Sequence, residues 1–170
     1  TPDIMTMAKA VTNGVVPLGA VASKELIYDT ILDASPTGAI EFFHGYTYSA
    51  IPVSMAAGLA MQDIIDKEDL IKRSNEMSPY FLDGLFSLKD INGVTDIRGY
   101  GMMGGIDLEL DERLGKAGYS CFKKLFENGI SLKATGDCLI IAPPFICEKK
   151  HIDEIIEKLR TGITNYFKSK

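Results

Sequence analysis

The sequence predicts an α/β protein made of two unlike parts, on three observations. Its 170 residues are 46% hydrophobic and 24% charged, a composition typical of globular rather than disordered chains. Residues 1–52 contain many glycines and prolines, and their apolar residues seldom follow helical spacing; the spacing becomes regular only from residue 53. Segments with helical spacing and segments with the alternation of strands then follow one another through residues 67–170. We therefore expect a self-contained α+β sandwich at 67–170, preceded by a part that is not self-contained.

Composition and charge exclude several classes of function. The formal net charge of -5 lacks the basic footprint of a nucleic-acid-binding surface, so no nucleic-acid partner is expected. No apolar run approaches the ~20 residues of a membrane span, so no membrane partner is expected either. Three scattered cysteines, Cys121, Cys138 and Cys147, indicate reduced thiols in a cytoplasmic protein. Two histidines, His44 and His151, are too few and too far apart for a metal site.

The first part of the chain contains three predicted elements. Residues 18–22 read LGAVA, which is typical of a short buried strand, and residues 24–32 have the pattern of a short helix. Residues 53–66 are apolar on nearly every side and include several small residues. This pattern predicts a buried helix with neighbours packed closely on both sides. The rest of residues 1–52 is broken by glycine and proline, as in loops that line a site.

The second part begins with a helix and two strands. Residues 69–86 place apolar side chains on one face, which predicts an amphipathic helix. Residues 94–98 and 103–110 are typical of strands, and the alternation of apolar and acidic residues in the second strand indicates one solvated face. Residues 99–104 contain a G-x-G-x-x-G spacing, which in a dinucleotide site would open a helix. Because these glycines open a strand instead, we expect a tight bend between two strands.

Another helix, a strand pair and a final helix complete the predicted order. Residues 114–128 have a helical pattern that ends before Gly129, a residue suited to the position just past a helix. Strands are predicted at 130–133 and 138–142, joined by a turn that contains a glycine. Residues 149–167 place isoleucine, leucine and phenylalanine on one stripe. This stripe predicts a helix that packs its apolar face against the sheet.

Lys9 is the first candidate for chemistry. Its neighbours are apolar or small, and no carboxylate occurs within five residues downstream. A lysine that is removed from water has a lowered pKa, and its neutral amine can act as a nucleophile that forms an imine. The alternative is a lysine whose stem lies on apolar surface while its amine reaches the solvent. The residues alone leave both interpretations open.

Residues 42–49 form the second candidate, a cluster of aromatic and hydroxyl side chains before Pro52. The hydroxyl groups and the glycine at position 45 are suited to holding a phosphate with side-chain and backbone donors. Equally, Ser49 could serve only as the cap of the following helix, and the aromatic side chains could belong to a core. The two interpretations are evenly matched.

Both candidates lie in segments that resemble signatures of the class III aminotransferases. Residues 2–9 read PDIMTMAK and are followed by TNG at 12–14 and PLGAV at 17–21. Residues 44–49 read HGYTYS, which is similar to a second signature at the expected distance. Matches to the C-terminal domain of the family follow in order: DIRG at 96–99, Gly101, Gly136, Asp137, Pro143 and Phe145. The resemblance covers essentially the whole chain and is strongest to ω-amino acid (β-alanine):pyruvate aminotransferases.

The resemblance implies a PLP-dependent transferase of fold type I that works as a homodimer with pyridoxal 5′-phosphate. Lys9 would hold this cofactor as an internal aldimine and then act as the general base and acid of the proton transfer. Thr47 would donate to the cofactor phosphate, across the dimer interface, with assistance from the backbone around Tyr46. The cofactor would supply the electron sink of the reaction.

The resemblance also implies a division of the chain. Residues 1–52 would be the end of a large cofactor-binding domain, residues 53–66 the helix between domains, and residues 67–170 the C-terminal small domain. The chain would then be the C-terminal portion of a longer enzyme, because the phosphate loop, the aromatic stacked on the cofactor and the aspartate at the pyridine nitrogen precede the lysine in this family. Without them the isolated chain is expected to show weak transamination or none.

The implied reaction transfers an amino group from a β-alanine-like ω-amino acid to pyruvate or another 2-oxo acid. Lys133 occupies a position where family members commonly carry an arginine that binds the substrate carboxylate. Lysine keeps the charge but lacks the planar fork, and Lys133 could instead be a solvated hairpin residue. Ile51 and Ile140 replace a common histidine and a polar residue. The alternatives are a 4-aminobutyrate, ornithine or diaminopelargonate aminotransferase, or a non-catalytic remnant that keeps the association surfaces.

Overall fold

The computed structural model describes residues 1–36 and 45–169, which form two compact units, Thr1–Glu68 and Asp69–Lys170. His44, the first residue of the second signature, lies outside the described residues. No helix in the described parts of the chain is long and apolar enough to cross a membrane. The same ranges contain no group of three or more His, Cys, Asp or Glu residues that could hold a metal ion.

The first unit consists of a two-stranded ribbon and helices. Strand β1, Ile4–Ala8, pairs antiparallel with β2, Gly19–Ser23, so that Ala8 lies opposite Gly19. A 3-10 turn, Lys9–Val11, follows β1 directly. Helix α1 spans Glu25–Asp33 and helix α2 spans Pro52–Lys67. The bounds of the predicted strand and of both predicted helices are confirmed to within two residues, but the burial predicted for the strand is wrong, because every residue of β2 except Ala20 is exposed in this unit. Strand β1 was not predicted because its residues lack a clear alternation.

The burial of α2 differs from the prediction. Only Ser54 and Gly58 of this helix are buried, whereas the sequence predicts burial on nearly every side. These two small residues lie one turn apart, on the side that meets the 3-10 turn and Leu18. The apolar side chains on the other sides, such as Val53 and Leu59, are exposed in this unit. The close approach is therefore confirmed on one side, and the prediction of burial all round is wrong for the described unit.

The second unit is a four-stranded antiparallel sheet covered by three helices. Its strands are β3 (Val94–Tyr100), β4 (Met103–Leu108), β5 (Lys133–Thr135) and β6 (Cys138–Ile141), in the spatial order β3-β4-β6-β5. Its helices are α3 (Leu70–Phe86), α4 (Lys116–Glu127) and α5 (Lys149–Lys168). Helix α5 contacts α3 and α4, which in turn contact the sheet. The helices thus enclose the core on one face of the sheet.

Large apolar side chains fill the space between the sheet and its helices. The completely buried ones include Phe81, Leu85, Ile106, Leu139 and Leu159. The predicted faces of the first and last helices of this unit supply many of them, and the predicted alternation of β4 is confirmed at its centre. The prediction is wrong at Leu110, which lies beyond the end of β4 and is exposed.

Glycines mark the bends and the helix ends of this unit. Gly101, with φ +59°, stands between β3 and β4, which confirms the tight bend predicted for the G-x-G-x-x-G segment. Gly129, with φ +79°, follows the last turn of α4 as predicted. Helix α4 begins later than predicted, because Gly115 adopts φ +84° just before it. The strand predicted at 130–133 begins only at Lys133.

Candidate functional site

Lys9 lies at the point where β1 gives way to the 3-10 turn. Its backbone has φ +56°, in the left-handed region that costs a non-glycine residue roughly 1–2 kcal/mol. The carbonyl oxygen of Lys9 accepts hydrogen bonds from the N–H groups of Thr12 and Gly14, both at 3.3 Å. These bonds hold the turn in place. The apolar and small neighbours of Lys9 single it out in the sequence, but no sequence signal indicates its left-handed backbone conformation.

The loop that carries Lys9 is anchored by a buried threonine and by α2. Thr12 is 3% exposed, and its Oγ1 donates to the carbonyl oxygen of Val16 at 2.6 Å. Ser54 Oγ donates to the carbonyl oxygen of Pro17 at 3.0 Å. A Cβ added to Gly58 would lie 3.4 Å from Leu18 Cδ2, so small residues let α2 lie directly against this loop. The turn therefore rests on a helix rather than standing alone.

The Lys9 side chain is exposed, at the edge of a concavity of about 570 Å³. Among the residues that the structure describes, no ion pair involves Lys9, whereas Lys24 pairs with Asp3 at 2.5 Å. Of the two interpretations, the structure of this unit favours an amine that reaches the solvent. A lysine amine must be accessible to form an imine with an aldehyde cofactor, and the exposed Lys9 amine meets that condition. The lysine therefore fits pyridoxal phosphate chemically.

The second candidate segment forms a turn before α2. The N–H of Ser49 donates to the carbonyl oxygen of Tyr46 at 3.0 Å. Ile51 occupies the N-cap position of α2 and Pro52 its first turn, so the interpretation of Ser49 as the helix cap is wrong. Tyr48 is exposed rather than part of a core, and so is Thr47. Phe42 and Phe43 lie outside the described residues.

The two segments border neighbouring concavities. Residues 48–51 line a concavity of about 340 Å³ together with Pro17, Leu18 and Gly19. The same three residues also line the concavity of Lys9. Thr47 lines neither of them, so the structure brings its segment near the lysine loop without placing Thr47 and Lys9 in one cavity. A threonine hydroxyl on an exposed turn remains accessible to a phosphate.

Lys133, the third candidate, is the first residue of β5 in the second unit. It is exposed, and Ile140 lies opposite it in β6. Ile140 lies opposite Gly105, which lies opposite Arg98. Residues that face each other on adjacent strands share a side of the sheet. Lys133, Ile140 and Arg98 therefore project from the face that the helices do not cover.

Charges on this open face are arranged around Arg98. Its guanidinium donates to Asp107 at 2.5 Å and to Asp96 at 2.8 Å. The bond from Arg98 holds the pKa of Asp107 below its usual range. Burial, and then the nearby Asp107 carboxylate, raise the pKa of the Cys138 thiol to about 11, which favours the protonated thiol at neutral pH. Lys133 has no ion pair among the described residues and is available to an external carboxylate.

Asp137 has a structural role that is not predictable from its neighbours in the sequence. It is buried, and its carboxylate accepts hydrogen bonds from the N–H groups of Gly115 at 2.8 Å and Gly118 at 3.1 Å. These donors belong to the first turn of α4, where backbone N–H groups have no partner within the helix. Asp137 thus caps α4 from the turn between β5 and β6. No local sequence signal reveals a cap that lies about 20 residues after the helix begins.

Comparison with known proteins gives consistent matches. The family model described as "Aminotransferase class-III" matches residues 1–163. The Omega-aminotransferase of Caulobacter vibrioides is 42% identical over 161 residues, which are 94% of this chain and 36% of the relative. The Beta-alanine--pyruvate aminotransferase of Pseudomonas aeruginosa is also 42% identical, over 92% of this chain and 36% of its own length. The chain therefore spans about a third of the length of these curated relatives.

A solved structure agrees with the sequence matches. The structure titled "Transaminase with L-ala" superposes with a TM-score of 0.93 and 27% sequence identity. The superposition covers 99% of this chain and 41% of the other chain.

Proposed function

Because the chain belongs to the class III aminotransferase family, we propose that it provides the lysine and small-domain parts of a pyridoxal-phosphate-dependent transaminase. The fold is that of the fold type I transferases, and the family depends on this cofactor. The amino donor would be an ω-amino acid similar to β-alanine, and the acceptor pyruvate or another 2-oxo acid. The names of the two relatives at 42% identity support this choice.

The observation that carries the proposal is the position of Lys9. Its exposed amine, on a left-handed turn anchored by Thr12 and α2, has no ion pair among the described residues. The amine would bind the cofactor covalently and afterwards move the proton at the amino-bearing carbon of the substrate. When bound, pyridoxal phosphate supplies an electron sink for that carbon. The tethered turn would keep Lys9 Nζ within reach of both groups.

Thr47 and Tyr46 would hold the cofactor phosphate. The exposed Thr47 hydroxyl lies in a turn that the Ser49–Tyr46 bond closes, and both side chain and backbone there provide donors for an anion. In a homodimer, this turn would serve the site of the partner. Residues 48–51, which follow Thr47, line a different concavity from Lys9, and this supports a role for Thr47 in the partner's site rather than beside Lys9 of its own chain.

Lys133 would bind the substrate carboxylate. It is exposed on the open face of the sheet, beside Ile140. An ammonium attracts a carboxylate as a point charge but does not impose the two-bond geometry of arginine. We therefore expect Lys133→Arg to lower the KM for a carboxylate-bearing donor and to leave that for a donor without a carboxylate nearly unchanged.

The same proposal assigns roles to three segments. Residues 1–52 would form the end of the cofactor domain, residues 53–66 the helix between domains, and residues 67–170 the small domain. The structure itself divides the chain at Glu68 and Asp69. These roles are tested by measuring the transaminase activity of assembled enzymes that carry substitutions in each segment.

Trapping the cofactor on Lys9 tests the proposal directly. The enzyme assembled from this chain would be incubated with pyridoxal phosphate, reduced with borohydride and digested, and the modified lysine identified by mass spectrometry. We expect the label on Lys9 and its loss in Lys9→Arg. Lys24→Arg is the matched control, because Lys24 is exposed in the same unit but paired with Asp3. Specific labelling of another lysine would overturn the assignment.

A panel of amino donors tests the substrate. With pyruvate as acceptor, β-alanine should give faster turnover than 4-aminobutyrate, ornithine or diaminopelargonate. A clear preference for one of the latter would replace the β-alanine assignment while leaving the transaminase in place. The 170-residue chain alone should show weak turnover or none, and normal turnover by it would contradict this expectation.

A further inference from the structure

Arg73, near the start of α3, is half-buried and only partly hydrogen-bonded. Its Nε is a buried donor without a partner among the residues that the structure describes. Such a donor costs free energy, so most buried donors in folded proteins have a partner. In the same ranges no ion pair involves Arg73, and Glu148 pairs with Lys150 instead, at 2.8 Å. The charge of Arg73 is therefore not used to hold a carboxylate of the described chain.

The hydrogen bonds that Arg73 does form go to one short segment. Its Nη2 donates to the carbonyl oxygen of Ile146 at 2.9 Å and to that of Cys147 at 3.2 Å. Both carbonyls belong to residues 142–147, which connect β6 to α5. This connecting segment contains two prolines, which have no N–H to donate. Arg73 thus ties α3 to a segment that has few backbone donors of its own.

The connecting segment forms one wall of a concavity beside Lys133. The pairing of β5 with β6 ends with Lys133 opposite Ile140. Beyond this pair, residues 130–133 and 140–144 line a concavity of about 370 Å³ from two sides. Ile155 of α5 also lines it. Lys133 therefore shares this concavity with neighbours that are mostly apolar.

A turn joins the contacts of Arg73 to that wall. The N–H of Cys147 donates to the carbonyl oxygen of Pro144 at 2.9 Å. Arg73 binds one end of the turn, at the Cys147 carbonyl, and the other end, Pro144, lines the concavity of Lys133. Because the ring of proline fixes φ, the backbone has little freedom between the two ends. Movement of the end at Arg73 would therefore move the wall beside Lys133.

We propose that Arg73 is a positioning residue for Lys133. It holds the connecting segment, and the wall that this segment forms sets the direction of the Lys133 ammonium. An ammonium on a flexible stem imposes no geometry of its own, and ordering a free lysine side chain costs entropy. A fixed wall along the stem lowers that cost. The inference rests on the proposed role of Lys133 in binding the substrate carboxylate, and Arg73 itself does not touch the substrate.

A purely structural role for Arg73 is the competing interpretation. The N-cap residue of α5, Glu148, follows Cys147 directly, so Arg73 could serve only to anchor the start of this helix. Substitution would then lower stability without changing how one class of donor binds. A comparison of donors with and without a carboxylate distinguishes the two roles.

Steady-state kinetics of the assembled enzyme make this comparison. Arg73→Gln should raise the KM for β-alanine about threefold or more, while kcat and the KM for propylamine, which lacks the carboxylate, stay nearly unchanged. Arg73→Lys keeps the charge on a single nitrogen and should raise the KM less. Lys72→Gln, at the neighbouring exposed position of α3, is the matched control and should change neither KM. An unchanged KM for β-alanine in Arg73→Gln, or equal rises for both donors, would overturn the inference.

A double-mutant cycle tests whether Arg73 acts through Lys133. In a Lys133→Ala background, Arg73→Gln should no longer change the KM for β-alanine, because the side chain that Arg73 positions is absent. Additive effects would contradict the inference. If Lys133→Ala alone left this KM unchanged, the proposed role of Lys133 would fail, and the inference with it. If Lys133→Ala raised the KM and Arg73→Gln did not, only the inference would fail.

Hydrogen exchange in the 170-residue protein gives a readout that does not need activity. Arg73→Gln should speed exchange of the Cys147 amide by about tenfold or more, because the turn that it closes is no longer anchored to α3. Exchange in β3 and β4 should be the same as in the parent protein. Equal acceleration throughout the second unit would show that Arg73 supports the whole unit and would overturn its local role.

Discussion

Asp137 links the turn between β5 and β6 to the start of α4. Its two oxygens accept from two backbone N–H groups, those of Gly115 and Gly118. Removal of the side chain leaves the buried N–H of Gly118 and the half-buried N–H of Gly115 without this partner, which costs about 1–3 kcal/mol. The contribution is local to the second unit, because every group involved belongs to it.

Asp137→Ala should therefore lower the free energy of unfolding of the second unit by about 2 kcal/mol. Asp137→Asn keeps one acceptor oxygen and should lose less. Urea unfolding followed by circular dichroism measures both. Glu157→Ala, at an exposed position of α5, is the control and should change little; equal destabilisation by all three would show that the cap is unimportant.

Thr12 is a second single residue with a local structural role, in the loop that carries Lys9. Its buried hydroxyl donates to the carbonyl oxygen of Val16 at 2.6 Å. Thr12→Val leaves that oxygen without this donor, loosens the loop and should reduce borohydride-trapped cofactor on Lys9 about fivefold in the assembled enzyme. Thr12→Ser keeps the hydroxyl and should label like the parent protein. Full labelling of the valine variant would show that the bond does not position Lys9.

The Arg98–Asp107 pair predicts a dependence of stability on acid. The bond from Arg98 holds the pKa of Asp107 below its ordinary value of 3.8 in the folded protein. Because the pKa of Asp107 is lower in the folded than in the unfolded protein, the ionised carboxylate stabilises the folded state at pH values above the unfolded-state pKa. This contribution is lost as the pH falls through the folded-state pKa. Both side chains are partly exposed, so solvent screening keeps the effect small.

Arg98→Gln should accordingly reduce stability at pH 6 slightly and make the loss of stability below about pH 4 shallower. Thermal melting at a series of pH values measures the slope. Lys72→Gln removes an exposed charge of α3 and controls for the change in net charge. An unchanged slope in Arg98→Gln would contradict the assignment of the acid sensitivity to Asp107.

At the scale of elements, close contact between α4 and the β5–β6 turn depends on a glycine. A Cβ added to Gly118 would lie 2.2 Å from the carbonyl oxygen of Gly136, which is backbone and cannot rotate away. Gly84 in α3 gives the contrasting case. A Cβ there would lie 3.0 Å from Ile156 Cγ1, part of a side chain that can move.

Gly118→Ala should therefore destabilise the second unit by about 2 kcal/mol or more, despite the better helix propensity of alanine. Gly84→Ala should be close to neutral, because a gain in helix propensity of up to about 1 kcal/mol offsets the adjustment of Ile156. Chemical denaturation of the two variants in parallel measures the difference. A Gly118→Ala protein as stable as the parent would show that α4 can shift away from the turn.

Helices and bends with a clear pattern of apolar residues or glycines along the chain were predictable from the sequence, whereas elements defined by contacts between distant residues were not. The amphipathic helices α3 and α5 and the bend at Gly101 follow from local patterns and are confirmed. Strand β1 was missed because its residues lack alternation. The start of β5 was misplaced because Ile130 packs into the core from a non-strand segment. The position of β6 between β4 and β5 depends on pairing across the sheet, which no local pattern encodes.

In the candidate site, too, local features were predictable from the sequence and features that depend on distant contacts were not. The signatures around Lys9 and Thr47 could be found in the sequence, because they are contiguous. The exposure of Lys9 and its left-handed backbone could not, since they depend on how α2 and Thr12 hold the loop. The open-face position of Lys133 likewise depends on its register with Ile140. The roles proposed for these residues stay predictions.

At the scale of the whole molecule, the two units should differ in resistance to proteolysis. The second unit has a core of large apolar side chains, whereas the first leaves such side chains exposed. Brief digestion of the 170-residue protein with a protease of broad specificity should therefore cut within residues 1–68 first. Mass spectrometry should find a resistant product that begins near Asp69. Equal cleavage rates in both units would show that the first unit is stable by itself.

The cap that Asp137 places on α4 also has a consequence for the order of events during synthesis. A ribosome makes α4 before it makes Asp137, and a helix of 12 residues is marginal by itself in water. Strand β5 is also made before β6, the one strand it pairs with among the described residues. Both elements must therefore wait for the same short stretch of chain to leave the exit tunnel. The emergence of residues 137–141 is therefore the step at which α4 gains its cap and β5 its partner strand, before α5 completes the core.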